Sequence, residues 1–72
     1  MTDPGLAELR CNYPAWRTRR PANASYVIAT RSDRVHLTEE ELTAGLAMTL
    51  IEDTLDGLRE ALAVQLRIER AL

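Results

Sequence analysis

The stretch TEEELTAGLAMTLIEDTLDGLREALAVQLRIERAL, residues 38–72, decides the fold. It opens with three coincident helix-start signals. Thr38 and Glu41 have the spacing of a capping box, in which each side chain accepts a hydrogen bond from the other residue's backbone N–H. Leu37 and Leu42 stand where a hydrophobic staple would close over the cap. Glu39, Glu40 and Glu41 set negative charge against the positive end of the helix dipole. Beyond the cap, Ala44, Met48, Ile51, Leu55, Leu58, Leu62 and Leu66 fall along one stripe, with near-heptad steps from Met48 onward. Leu42, Leu46 and Leu50 make a second apolar row, rejoined by Val64 and Ile68. The pattern predicts one long amphipathic helix over 38–72 that needs two neighbours in its first turns. Asp56-Gly57 is the place where it would break into a helix–turn–helix-like corner. The apolar steps run through Gly57 without a change of phase and no proline follows, so a continuous helix is preferred.

Upstream, Asp3 as N-cap and Pro4 at the first helical position predict a short helix over 3–12, with Leu6, Ala7 and Leu9 on its apolar side. Asn12-Tyr13-Pro14 ends it, because proline restricts the preceding residue to extended geometry. Residues 15–37 read as a hairpin or meander. Ala15–Arg20 and Ser25–Thr30 are the strands, Pro21-Ala22-Asn23-Ala24 the turn, and Val35-His36-Leu37 an optional third strand after the turn Arg31-Ser32-Asp33-Arg34. Setting Trp16 opposite Ile28 and Thr18 opposite Tyr26 gathers the large side chains Trp16, Tyr26 and Ile28 on one face, which selects that register.

Composition narrows the class. Seventy-two residues with 46% hydrophobic and 28% charged side chains describe one small globular domain rather than a disordered segment. A single cysteine allows neither an intrachain disulfide nor a cysteine zinc site. The opening residues carry no signal-peptide pattern and no apolar run reaches membrane length, so the expectation is a cytoplasmic protein without a membrane span. All nine basic residues are arginine, which fits a GC-rich coding sequence first and an arginine-dependent function second.

Charge is divided between the halves. Residues 1–36 hold six arginines against Asp3, Glu8 and Asp33, a net of +3, and residues 37–72 hold three arginines against eight acids, a net of −5. Arg17, Arg19, Arg20, Arg31 and Arg34 would gather on the hairpin, where a basic ribbon grips phosphates or an acidic partner. The same arginines also suit a solvated strand edge or pairing with the acidic helix, and an overall charge of −2 argues against nucleic acid. Glu52, Asp53, Asp56 and Glu60 would line one side of the helix, a solvated stripe more readily than a Mg²⁺ site, since no phosphate loop accompanies them. Cys11 reads as a small buried hydrophobe. His36 has no nucleophile at an informative spacing, and Trp16, Tyr13 and Tyr26 are expected to form the core. No catalytic, cofactor-binding or metal-ligating residue is assigned, and no cofactor is expected.

Tyr13-Pro14-Ala15-Trp16-Arg17, Ala29-Thr30-Arg31, and Leu37-Thr38 leading to Glu41-Leu42 and Gly45-Leu46 resemble a group of short uncharacterised proteins of GC-rich bacteria. The likeness spans about Tyr13 to Gln65. Some of these proteins are encoded beside helix-turn-helix regulators, so the resemblance implies an accessory, regulatory role. It carries no catalytic residue with it.

The expectation is therefore an α+β fold: a short N-terminal helix, an antiparallel two- or three-stranded β-hairpin, and a long C-terminal amphipathic helix. A 35-residue helix would be about 50 Å long at 1.5 Å per residue, and a compact chain of this length is only roughly 30 Å across. Either the helix folds back at Gly57, or its stripe meets a second copy. The second remedy predicts a homodimer through Met48, Ile51, Leu55, Leu58, Leu62 and Leu66. The functional expectation is a non-enzymatic protein-interaction module that self-associates through the C-terminal helix and binds another protein such as a transcriptional regulator. The alternative is a nucleic-acid-binding protein that uses the arginine hairpin.

Overall fold

The computed structural model describes residues 4–34 and 36–72. Its elements run α1 (Pro4–Asn12), β1 (Trp16–Arg19), β2 (Val27–Arg31), α2 (Glu39–Ala44), β3 (Thr49–Glu52) and α3 (Leu55–Ala71). The fold is α+β: an N-terminal helix, a three-stranded antiparallel sheet in the order β1-β2-β3, and a long C-terminal helix. The predicted N-cap Asp3, and Val35 of the optional third strand, lie outside the described residues. His36 and Leu37 are not in a strand.

The third strand comes instead from inside the stretch read as one helix. The capping box forms as its spacing demands: the Thr38 side chain accepts from the Glu41 N–H, and Glu41 accepts from the Thr38 N–H. The helix it starts then stops at Gly45, whose φ of 105° is left-handed and whose N–H closes back on the carbonyls of Glu41 and Leu42. A methyl group on Gly45 would sit 3.3 Å from Ile68 Cδ1, so glycine also lets the turn close onto α3. Thr49-Leu50-Ile51 then pairs with β2 as a strand. Thr54 caps a second helix, its hydroxyl accepting from the Gly57 N–H. Gly57 is therefore neither a helix interior nor a break. It lies in the first turn of α3, where an added Cβ would come within 3.1 Å of Glu52 Oε1. The apolar stripe that suggested continuity is real as a sequence pattern, but its members Met48 and Ile51 belong to the approach and body of β3. Refolded this way the molecule measures 39 × 20 × 19 Å.

The hairpin register also differs from the sequence expectation. Trp16 pairs with Arg31 and Thr18 with Ala29, a shift of three residues from the expected partners Ile28 and Tyr26. An odd shift exchanges the faces. Trp16, Thr18, Val27, Ala29 and Arg31 point to the covered side, while Ile28 shares the outer face with Arg17 and Arg19, and Tyr26 is 38% exposed. Leu6 and Leu9 of α1, with Leu58 and Leu62 of α3, cover the face that holds Trp16, Val27 and Ala29, and the shift leaves Ile28 on the other face. The expected turn does form, with the Ala24 N–H donating to the Pro21 carbonyl and Asn23 taking a positive φ of 61°.

Both α1 and α3 pack on the same side of the sheet. Leu9, Leu58, Leu62, Val27 and Ala29 are fully buried there, with Trp16 and Leu6 beside them. Among the described residues, no helix packs on the opposite side. Among the described residues, no helix is long and apolar enough to cross a membrane.

Candidate interaction surface

The arginines expected to act together are divided by the fold. Arg31 faces inward and is only 4% exposed. Its Nε donates to the Ala47 carbonyl at 2.8 Å and its Nη2 to Gln65 Oε1 at 3.0 Å, while Nη1 pairs with Glu69. The guanidinium lies 4.3 Å from the centroid of the Trp16 ring, a cation–π stack. Gln65 completes the arrangement by accepting from the Ala47 N–H at 2.9 Å and donating to the Gly45 carbonyl at 3.1 Å. Together these groups tie the segment 45–47 to α3, and so hold β3 against β2. Arg31 is thus a structural residue and is unavailable to a phosphate or an acidic partner.

Arg34 is exposed but bonded to Glu41. The carboxyl of Glu41 is held below the usual carboxylate range, first by the Thr38 N–H and then by Arg34, and the Arg34 guanidinium is correspondingly held above its ordinary value by Glu41. Arg20 is exposed and engaged within the chain. Arg17 and Arg19 are the pair that projects from the outer face of β1. With Thr30, Arg31 and Ser32 they line an open hollow of about 400 Å³. Next to them on the same face lie Ile28 and, directly across the β2–β3 ladder, Ile51, which is 60% exposed.

The residues expected at a dimer interface are likewise divided. Leu58 and Leu62 have no exposed surface within a single chain. Leu55 packs partly buried against the core, Leu66 is half-buried beside Tyr13 and Trp16, and Met48 is half-buried in the approach to β3. Of the six, Ile51 alone is solvent-exposed. Leu58 and Leu62 are core because α1 and the sheet cover them, so they cannot also be the seam of a two-chain coiled coil.

The remaining candidates separate as well. Glu52 lies on β3, Asp53 in the turn, and Asp56 and Glu60 on α3, so they do not share one helix side. Asp56 pairs with Arg59. Among the described residues, no group of three or more His, Cys, Asp or Glu side chains is placed to hold a metal ion. Cys11 is an exposed thiol rather than a buried one, because Leu6 and Leu9 define the inward side of α1. His36 is exposed. Trp16 belongs to the core and Tyr13 packs against it, whereas Tyr26 does not.

Two residues that matter here went unremarked in the sequence: Gln65, polar in the middle of an apolar stripe, and Ile51 as a strand residue. Gln65 lies three residues beyond Leu62 and seven beyond Leu58 on the inward stripe, a position at which a polar residue has to find partners. No protein-family model, no curated protein and no solved structure matches this chain.

Proposed function

We propose that the chain is a non-enzymatic protein-interaction module whose contact surface is the outer face of its sheet. The observation that carries this reading is a sheet that, among the described residues, α1 and α3 cover on one side, while its other side holds the neighbouring isoleucines Ile28 and Ile51 with Arg17 and Arg19 beside them. An apolar centre rimmed by arginine suits a protein partner that brings apolar side chains and carboxylates. The part-buried polar group of Arg31, Gln65 and Glu69 serves to hold the fold. The resemblance to companions of helix-turn-helix regulators makes a regulatory protein the class of partner to try first.

The second reading is nucleic-acid binding, favoured by the hollow that Arg17 and Arg19 line with Thr30, Arg31 and Ser32. It is the weaker of the two because Arg31 is inside, Arg34 is paired and the net charge is −2. Capture from a lysate of the source cells on immobilised protein, with and without nuclease, separates them. The interaction reading expects a nuclease-resistant partner whose capture falls with Ile28→Gln. A nuclease-sensitive capture lost in the Arg17→Ala/Arg19→Ala variant would put the second reading first. Capture unaffected by either variant would remove the outer face from the argument.

A further inference from the structure

We infer that the exposed edge of β3 pairs antiparallel with the β3 edge of a second copy, joining two three-stranded sheets into one. The Arg31 N–H donates to the Met48 carbonyl. In an antiparallel strand, successive residues direct their backbone groups to opposite sides. Met48, Leu50 and Glu52 therefore face β2, and Thr49, Ile51 and Asp53 direct theirs away from it. All three are exposed. Natural edge strands discourage such pairing with lysine, proline or bulges. Thr49-Leu50-Ile51-Glu52 has no lysine or proline, and it carries the apolar Ile51, 60% exposed.

Four residues make a short edge, and α3 extends it. Gly57 lies beside Glu52 at the end of β3, and Ile68 lies beside Gly45, four residues before the strand. Gly57, Ala61, Val64 and Ile68 follow steps of four, three and four, one stripe of the helix on the β3 side of the molecule. Val64 in that stripe is 41% exposed.

Charge selects the antiparallel arrangement. A two-fold axis near Leu50 sets Thr49 opposite Ile51 of the copy, and it places the carboxylates Glu52 and Asp53 at opposite ends of the joined edge. A parallel pair would align them with their own copies. Because α3 runs back along β3, the same axis makes the two α3 helices antiparallel. The acidic first half of one, with Asp56 and Glu60, then lies along the basic last turns of the other, with Arg67 and Arg70. The contact is self-complementary, as a two-fold interface must be. It leaves the outer faces of both sheets open and continuous, so it is independent of what binds there.

Light scattering on the purified chain over a concentration series tests this. The wild type is expected at twice the mass of one chain. Ile51→Pro removes an N–H that points away from β2, and so should give a monomer with an unchanged circular dichroism spectrum. Glu60→Arg should weaken the dimer by about tenfold or more, and adding Arg67→Glu to it should restore association by re-forming the pair with reversed sign. If Ile51→Pro fails to fold, the charge exchange decides alone. A monomeric wild type, a dimer indifferent to Ile51→Pro, or no restoration in the double variant would each overturn the pairing. None of these outcomes touches the capture experiment on Ile28.

Discussion

Arg31 illustrates how far a residue's type leaves its role open. It follows Ala29-Thr30 in a chain whose other hairpin arginines are exposed, so the sequence groups it with them. The register of β2 turns it inward, where Trp16, Gln65, Glu69 and the Ala47 carbonyl receive it. Only the planar fork of arginine meets the last three together. Arg31→Lys should therefore destabilise the chain by about 2 kcal/mol, less than a fully buried ion pair would lose, because Glu69 is one-third exposed. A denaturant melt that finds Lys equivalent would show that the fork is not needed. Thr18 presents the opposite case. It is 1% exposed and its hydroxyl has no hydrogen-bond partner among the described residues. An unpaired buried hydroxyl costs about 1–3 kcal/mol of desolvation. Thr18→Val keeps the shape without the hydroxyl, and should raise stability by about 1 kcal/mol in the same assay. A loss on that substitution would mean that the hydroxyl is bonded in solution.

At the scale of the element, the signals that were legible and those that were not have different physical origins. A cap is local chemistry, and Thr38 with Glu41 forms its box as the spacing requires. Thr38→Ala should cost about 1 kcal/mol. Glu41 adds a pH dependence. Its carboxyl titrates below its ordinary 4.5 in the folded chain, so the charged form favours folding. That contribution is complete above the ordinary value and is lost as pH falls through the depressed one. The stability gap between wild type and Glu41→Gln should accordingly narrow below pH 4.5, and a gap that widens there would reverse the assignment. The end of α2 depends instead on tertiary contact. Gly45 takes its left-handed turn where the chain must close against Ile68, which no spacing within 38–52 announces. Ala at that position meets both a positive φ and a tight contact, and Gly45→Ala should cost about 1–2 kcal/mol in a denaturant melt. A smaller loss would show that the turn can move. The helical stripe misled for the same reason. Met48 and Ile51 satisfy helical steps as well as the approach and body of a strand, and the latch of Gln65 and Arg31 on Ala47 favours the strand. The hairpin faces were assigned by size, whereas the face that Leu58 and Leu62 cover holds Val27 and Ala29.

The whole molecule distributes charge unevenly, and the fold changes what that means. The net of +3 over residues 1–36 counts Arg31, which is inside with Glu69 beside it, and Arg34, which is held by Glu41. Arg10 is committed too, donating through Nε and Nη2 to the Thr18 carbonyl on the β1 edge. What remains on the outer face is Arg17 with Arg19, while Glu39, Glu40, Asp53, Asp56 and Glu60 stay exposed elsewhere. Non-specific binding to nucleic acid scales with the number of phosphates neutralised, and two arginines release few counterions. Weak attraction at low salt is then opposed by the acidic remainder of the surface. The protein should pass through heparin and DNA columns unretained at physiological ionic strength. Any retention at about 20 mM salt, where the Debye length is longer, should vanish in the Arg17→Ala/Arg19→Ala variant. Firm retention at physiological salt, with a slope corresponding to several phosphate contacts, would put the nucleic-acid reading first.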